Sequence, residues 1–352
     1  MLEDDVDDPG NSESPELWHI YFLTLVDSTG DDLGFVKVGI TKGAVERRIA
    51  HLQTGNPYRI QRYASFPSPV ARAVESWIHK TRQLEYLEWL RLRRTELDAL
   101  VEAAKYESER LARIAQAMAQ WRQVESNDRE RAPSTDEIRL HDEMRGVSED
   151  LFPTQLQLDI ALCRIALVAG KVRHVPGIVA IQRREPFKRF KLKLALEKVA
   201  HLVAAHTEDK VRPHFRPKRL PGIGAPQWAA LRTEAESLAR GRKELNAAML
   251  ANSDAIEEEG TRTDELIELH ERFLALLHKK TRLDVDIKDL KAQAIQATED
   301  WEVVSGLWSH RRKLRPVFDE RAFRDAHKIE AAASSVAGAP FILRNVFLSR
   351  SY

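Results

Sequence analysis

Leu266, Leu269, Phe273, Leu276, Lys280, Leu283, Ile287, Leu290, Ala294, Ala297, Trp301 and Val304 follow one another at alternating steps of three and four without a slip. That spacing holds one stripe on one side of a helix for roughly 40 residues, about 60 Å at 1.5 Å per residue. The preceding segment, Trp228 to Glu259, carries a looser seam of Leu231, Leu238, Leu245, Met249 and Ile256, and Glu257-Glu258-Glu259-Gly260-Thr261 between them reads as a turn. The expected arrangement over 227–305 is an antiparallel helical hairpin within the chain. A coiled coil between copies, giving a homodimer or higher oligomer, competes with it.

The rest of the chain divides around this segment. Residues 1–16 hold seven acids and no base, the composition of a disordered solubilising tail; a DNA-mimicking lid over a basic cleft is the alternative. Residues 93–132 read as one long helix, with Leu97, Leu100, Ala104, Leu111, Ile114, Met118 and Trp121 on a shared seam until Ala132-Pro133 interrupts it. Residues 133–226 read as a basic domain of shorter helices with a strand near Ile178–Gln182, and residues 306–352 as a cap with short strands, Phe341 to Leu348 being β-prone.

Bulk properties narrow the class. Cys163 is the only cysteine, which excludes an internal disulfide or a cysteine-based zinc cluster and fits a reducing cytosol. The apolar run from Ile160 to Gly170 is broken by Arg164 and is too short to span a bilayer, and the acidic N-terminus does not read as a secretory signal. A cytoplasmic protein without a membrane partner is expected. The formal net charge is only +1, so affinity for nucleic acid has to come from local clustering.

Residues 17–92 follow a different pattern. Trp18 to Leu23 alternates as a strand and leads through a turn-rich segment, Asp27 to Gly34, into a second strand, Phe35 to Thr41. Gly43 to Gln53 reads as a helix with Val45, Ile49 and Leu52 on one face; Arg59 to Phe66 is a third strand; Ser68-Pro69 opens a helix that buries Val70, Val74, Trp77 and Ile78. The expected fold class is α+β, a small N-terminal three-stranded antiparallel sheet with flanking helices followed by a mainly α-helical region with long coiled-coil-like helices.

This unit carries the parts for phosphodiester hydrolysis. Tyr21 alternates with Ile20 and Phe22, and Lys37 with Val36 and Val38, so both are expected to leave the apolar face and look into a cleft. A phenol needs a cation beside it to act as a base near neutral pH, and Lys37 supplies one. The guanidinium of Arg48 suits the charge developing on a scissile phosphate. Glu75 is a carboxylate for magnesium or manganese, which keep waters and take phosphate oxygens as further ligands. His79, at i+4 from Glu75, is placed to bond the carboxylate, ligate the metal or meet a leaving oxygen. Lys42, Arg47, His51 and Asn56 flank Arg48 and are expected to contact nucleic acid.

In this order and spacing, residues 18–92 resemble the GIY-YIG nuclease superfamily, and most its phage-associated branch. His19-Ile20-Tyr21 stands at the first triad and Lys37-Val38-Gly39 at the second; Arg48, in the run from Glu46 to Pro57, stands at the helix arginine, Glu75 at the metal-binding glutamate, and Glu88-Trp89-Leu90 at the segment that closes the domain. The resemblance implies that Tyr21, acting with Lys37, activates water, that Arg48 holds the phosphate and that Glu75 binds the metal. His19 replaces the first glycine and Lys37 the second tyrosine, a departure that some members of the superfamily share. A second, less specific resemblance links the coiled segment, Trp308, Arg311, Arg312, Phe318 to Phe323 and the terminal patch to the tails of phage-type DNA-recombination nucleases. An ordinary helical hairpin with a small cap is the alternative.

Residues 160–220 hold 15 Lys/Arg against 4 Asp/Glu. Arg183, Arg184, Lys188, Arg189, Lys191 and Lys193 interleave with Phe187 and Phe190, and Lys210, Arg212, Arg216, Lys218 and Arg219 flank Phe215. Such a cluster neutralises phosphates with little sequence preference; docking an acidic protein segment is the alternative. His174, His201, His206 and His214 lack metal-ligand spacing and read as structural or phosphate-contacting. The expected function is a metal-dependent DNA endonuclease associated with phage, prophage or anti-phage defence. A catalytically degenerate DNA-binding or scaffold protein is the rival, and the same residues suit an RNA-directed nuclease.

Overall fold

The structure, a computed structural model, describes residues 17–82, 89–120, 126–185, 188–252 and 256–348. The acidic segment 1–16, Glu88, Trp121 and Phe187 lie outside the described residues, as do the side chains of Met118, Arg212 and Arg312. The chain divides into two compact units, the first formed by the described residues up to His79 together with those from Trp89 to Ala112, the second by the rest.

The first unit is built from β1 (Trp18–Val26), β2 (Asp32–Thr41), α1 (Val45–Gln53), β3 (Arg59–Ser68), α2 (Ala71–Thr81), β4 (Trp89–Arg91) and the first part of α3 (Arg94–Gln120). The three expected strands are joined by a fourth, β4, and the antiparallel sheet runs β3-β1-β2-β4. Register places Tyr21 opposite Gly39, Leu23 opposite Lys37, and Lys37 in turn opposite Trp89. Directly opposed residues share a face, so these side chains form one surface. The other surface carries Ile20, Phe22, Val36, Val38 and Leu90.

Both surfaces are covered. Tyr21, Leu23, Leu25 and Ile60 form a cluster with Val45, Ile49 and Leu52 of α1. On the opposite surface, Phe22 stacks on Phe66 at 6.3 Å, and Ser68 at the end of β3 accepts the Ser108 hydroxyl of α3 at 2.7 Å. β3 bulges at Tyr63, where the register shifts between Phe22 and Leu23. The bulge turns the Tyr63 ring beneath Arg94, 4.1 Å from its centroid, and its hydroxyl bonds Asp98. That carboxylate bond raises the phenol's pKa above its ordinary value, and it ties α3 to the edge strand.

The second unit contains β5 (Glu130–Arg131), α4 (Thr135–Ala169), β6 (Val172–Val175), β7 (Val179–Arg184), β8 (Lys188–Phe190), α5 (Leu192–Ala205), β9 (Thr207–Pro217), α6 (Ala229–Ala251), β10 (Glu257–Glu259), α7 (Asp264–Thr298), β11 (Val303–Val304), β12 (Trp308–Phe318), α8 (Glu320–Ala326), α9 (Lys328–Ala333), β13 (Ser335–Ala337) and β14 (Phe341–Val346). The long stripe is α7, which ends at Thr298, so Trp301 and Val304 fall beyond the helix. Its partner differs from the expected one. α7 packs chiefly along α4, and α6 packs on α4 as well. The first half of α4 (Leu140, Met144) meets the last turns of α7 (Ile287, Leu290, Ala294), and its second half (Leu158 to Ala169) meets the first turns (Leu266, Phe273, Leu274), so the two 35-residue helices are antiparallel.

Shorter helices are expected across 133–226, and within Thr135–Ala169 Gly146 and Pro153 are poor helix formers. One continuous helix forms instead, with Pro153 inside it and Gly170, at φ +65°, as its C-cap. Packing along α7 outweighs these local penalties. By length and composition α4 is the one helix among the described residues apolar enough to cross a bilayer, and 44% of its most apolar window is buried within the unit. Small sheets close both ends of the helix pair, in the orders β10-β6-β7-β14 and β5-β11-β12-β9. A satellite cluster of Phe190, Ala195, Val203, Phe318, Phe323 and Ala331 holds α5, α8 and α9 together with the β8–β13 pair.

Candidate active site

Tyr21 sits in the middle of β1, the strand flanked on both sides by neighbours, and is only 1% exposed. The expectation that it looks into an open cleft is corrected. Tyr21 does leave the face of Ile20 and Phe22, but α1 covers the face it reaches, so alternation does not separate inside from outside here. Lys37 is likewise buried, 7% exposed, between Leu23 and Trp89.

The phenol ring lies over Gly39. A Cβ built there would stand 2.6 Å from Tyr21 Cζ and closer still to the hydroxyl. The glycine of the second triad is therefore dictated by a cross-strand approach that no other residue allows. Arg48 of α1, an exposed residue, donates its Nε–H to the Tyr21 hydroxyl at 3.3 Å. Arg48 thus places a cation on the phenol oxygen, and Lys37 lies one step along the same row of side chains.

Around this pair, Arg47 and His51 are exposed on α1 and Lys42 is exposed in the loop before it. Lys42 Nζ stands 5.1 Å from the Trp18 ring centroid, and Arg72 of α2 approaches the same ring at 4.9 Å. Asn56 is half-buried and accepts the Tyr58 N–H at 3.0 Å. Its loop is organised by Gln53, whose amide donates to the Tyr58 carbonyl at 2.8 Å and whose oxygen accepts the Ile60 N–H at 2.8 Å. Gln53 is a positioning residue that the sequence reading missed; its one visible signal is its place at the helix end before Thr54-Gly55.

Glu75 and His79 stand one turn apart on α2, both half-buried, while Val74 and Ile78 are fully buried. Arg72, one turn before Glu75, links this side of the helix to Trp18 at the start of β1. The structure therefore joins Tyr21, Gly39 and Arg48 in direct contact, with Lys37 in the same row, and brings the Glu75 helix to the same strand through Arg72. Among the described residues no group of three or more His, Cys, Asp or Glu side chains is arranged to hold a metal ion. A single half-buried carboxylate suits a hard cation that keeps its waters and takes substrate oxygens, and not a cation that needs an all-protein cage.

The residues expected to bind nucleic acid from the second unit are distributed over three sheets. Arg183 and Arg184 end β7 opposite Ile342 and Phe341, Lys188 and Arg189 lie on β8, Lys191 and Lys193 begin α5, and Arg216 lies on β9. Lys218 and Arg219 follow β9; the Lys218 N–H is held by the Leu307 carbonyl at 2.7 Å and its carbonyl by His141 at 2.7 Å, and Arg219 adopts φ +56°. All nine side chains are exposed. The expectation of a basic helical domain is corrected, since much of this charge rides on strands. His206 packs edge-on against Phe323, and His174 against Phe347.

A small antiparallel sheet covered by helices, with a tyrosine, a glycine and a helix arginine in contact, is the class of fold and site that the first unit defines. Residues 18–105 match the T5orf172 domain, a phage T5 ORF172 domain related to the GIY-YIG nucleases. The match spans one quarter of the 352-residue chain. No curated protein and no solved structure matches the chain.

Proposed function

We propose that the first unit hydrolyses DNA phosphodiester bonds with one divalent cation, in the setting of phage, prophage or anti-phage defence. The observation that carries this reading is the Arg48–Tyr21 contact over Gly39, within residues that match a domain related to GIY-YIG nucleases. In the resting protein the guanidinium covers the phenol oxygen through one long hydrogen bond. A phosphate is a stronger, charge-assisted acceptor, so substrate draws Arg48 away and uncovers Tyr21. Tyr21 acts as its phenolate, the phenol proton having passed to solvent; the phenolate takes a proton from water as the water oxygen bonds to phosphorus and the P–O ester bond breaks, and the leaving oxygen takes a proton from solvent. Arg48 meanwhile stabilises the charge gathering on the phosphate. Lys37 adds positive charge in the same row. Glu75 would hold magnesium or manganese, with His79 supporting the carboxylate, and the cation would neutralise charge on the phosphate oxygens.

The near-complete burial of Tyr21 and Lys37 favours a second reading, in which the pair serves packing and the domain recognises DNA without cutting it. One experiment separates the two. Purified full-length protein is incubated with plasmid, linear duplex, single-stranded and RNA substrates, with and without magnesium or manganese. Metal-dependent cleavage is expected, falling about 10²–10³-fold in Arg48→Ala and Glu75→Ala proteins that melt like the parent. Undiminished cleavage by Glu75→Ala overturns the mechanism. Salt-sensitive binding with no cleavage of any substrate establishes the second reading.

A further inference from the structure

β9 and β12 pair in antiparallel register from Thr207 opposite Phe318 to Pro217 opposite Trp308. β11 pairs with β12 only at Trp308 and Ser309, and β9 is the edge strand of its sheet. From His310 outward the two strands therefore form a two-stranded ribbon. The two faces of this ribbon differ. At its base one face turns inward, with Trp308 and His310 buried and Phe215 packed on both rings.

The other face carries Arg216, Arg311 opposite His214, and Arg315 opposite Lys210. Lys210, His214, Arg216, Arg311 and Arg315 are all exposed. Two acids lie nearby. Glu208 is 3.6 Å from Lys210 and Asp128 is 3.9 Å from Arg311, but both carboxylates are more than three-quarters exposed and hold these cations loosely. The row keeps a strong positive excess.

We propose that this face of the β9–β12 ribbon is a docking surface for duplex DNA. Charges on one face of a strand repeat every ~6.8 Å, about two base-pair rises of ~3.4 Å, and a two-stranded ribbon fits the roughly 12 Å width of the major groove. The row tracks phosphates with little sequence preference and carries the duplex to the chain that bears the nuclease unit. Half of it comes from β12, about a hundred residues beyond β9 in the sequence, so Arg311 and Arg315 join a basic cluster to which no local pattern connects them. The inference deepens the DNA-nuclease reading by naming where substrate is held, but it is tested without cleavage.

The test is fluorescence anisotropy of full-length protein with a labelled 30-base-pair duplex in EDTA, over a salt series. Each phosphate contact contributes about 0.9 to the slope of log K against log salt. The K210Q/R216Q/R311Q/R315Q protein is expected to lose about 3–4 from that slope and to bind about 10–100-fold more weakly at moderate salt. A protein with four exposed bases removed from α4 and α7, R139Q/R145Q/K279Q/R282Q, matches the charge change and is expected to keep the parental slope to within about 1. Circular dichroism melts confirm that both sets fold. Equal losses in the two proteins overturn the proposal, as does a single-stranded RNA of the same length that outcompetes the duplex. A parent that binds through the ribbon but never cleaves sustains this proposal and removes the nuclease reading; a parent that cleaves while the ribbon variant keeps its slope does the reverse.

Discussion

Gly39 shows how one missing side chain sets the geometry of the candidate site. The Tyr21 ring fills the space where a Cβ would lie, so Gly39→Ala must push the phenol off α1 and Arg48. Overpacking of this kind costs roughly 1–3 kcal/mol. The expected outcome is a lowered melting temperature together with loss of metal-dependent cleavage, whereas Tyr21→Phe, which keeps the ring and removes only the hydroxyl, is expected to melt near the parent and still lose cleavage. A Tyr21→Phe protein that cleaves at the parental rate would show that the hydroxyl has no chemical part. Tyr21, Gly39 and Arg48 stand out in the sequence because their order and spacing are local. The burial of Tyr21 and Lys37 does not, because alternation reports a face of the sheet and not what covers it.

At the scale of elements, the start of α4 is held by a carboxylate. Glu137 is 2% exposed and takes two hydrogen bonds from Arg131 at 2.7 Å each, while the Ser134 N–H donates to it at 2.8 Å in a capping box. Arg131 also reaches the Ala297 carbonyl near the end of α7 at 3.0 Å. Burial by itself raises the carboxyl's pKa, but the Arg131 and Ser134 bonds outweigh it and hold the net value below the ordinary 4.5. The stabilisation is therefore complete above about pH 4.5 and is lost as pH falls through the lower, folded value. Glu137→Gln is expected to cost about 3–5 kcal/mol at neutral pH, because it strands a partly buried guanidinium. It should also flatten the acid limb of stability measured by denaturant titration between pH 2 and 5. A parent and variant with parallel acid limbs would place the acid sensitivity elsewhere. The capping box of Ser134 and Glu137 was not singled out in the sequence, and the closure of Arg131 onto it is a tertiary fact.

Across the whole molecule, the second unit is organised around the antiparallel α4–α7 pair, and Trp308 sits where the start of α4, the end of α7 and the base of the ribbon converge. It is fully buried, donates its indole N–H to Thr298 at 3.0 Å and packs on Phe215 and His141. Trp308→Ala should cost about 3–5 kcal/mol, a large part of the stability of an ordinary domain. Calorimetry is expected to show a lowered melting temperature, and duplex binding should weaken as the ribbon loses its footing. A melt unchanged by this substitution would contradict the central place of Trp308.

Short-range information in the sequence determined a good deal: the period of α7, the first three strands and the helices of the first unit, the triad residues, and the local excess of positive charge. Each depends on residues a few positions apart, where helix pitch, strand alternation and turn chemistry act directly. Only the tertiary structure decided that α7 pairs with α4, that α4 runs unbroken through Pro153, that Arg48 reaches Tyr21, and that β12 completes a charged ribbon begun by β9. Those outcomes join segments that are far apart in the chain, and they are set by which apolar and charged surfaces fit one another once every element competes for the same partners.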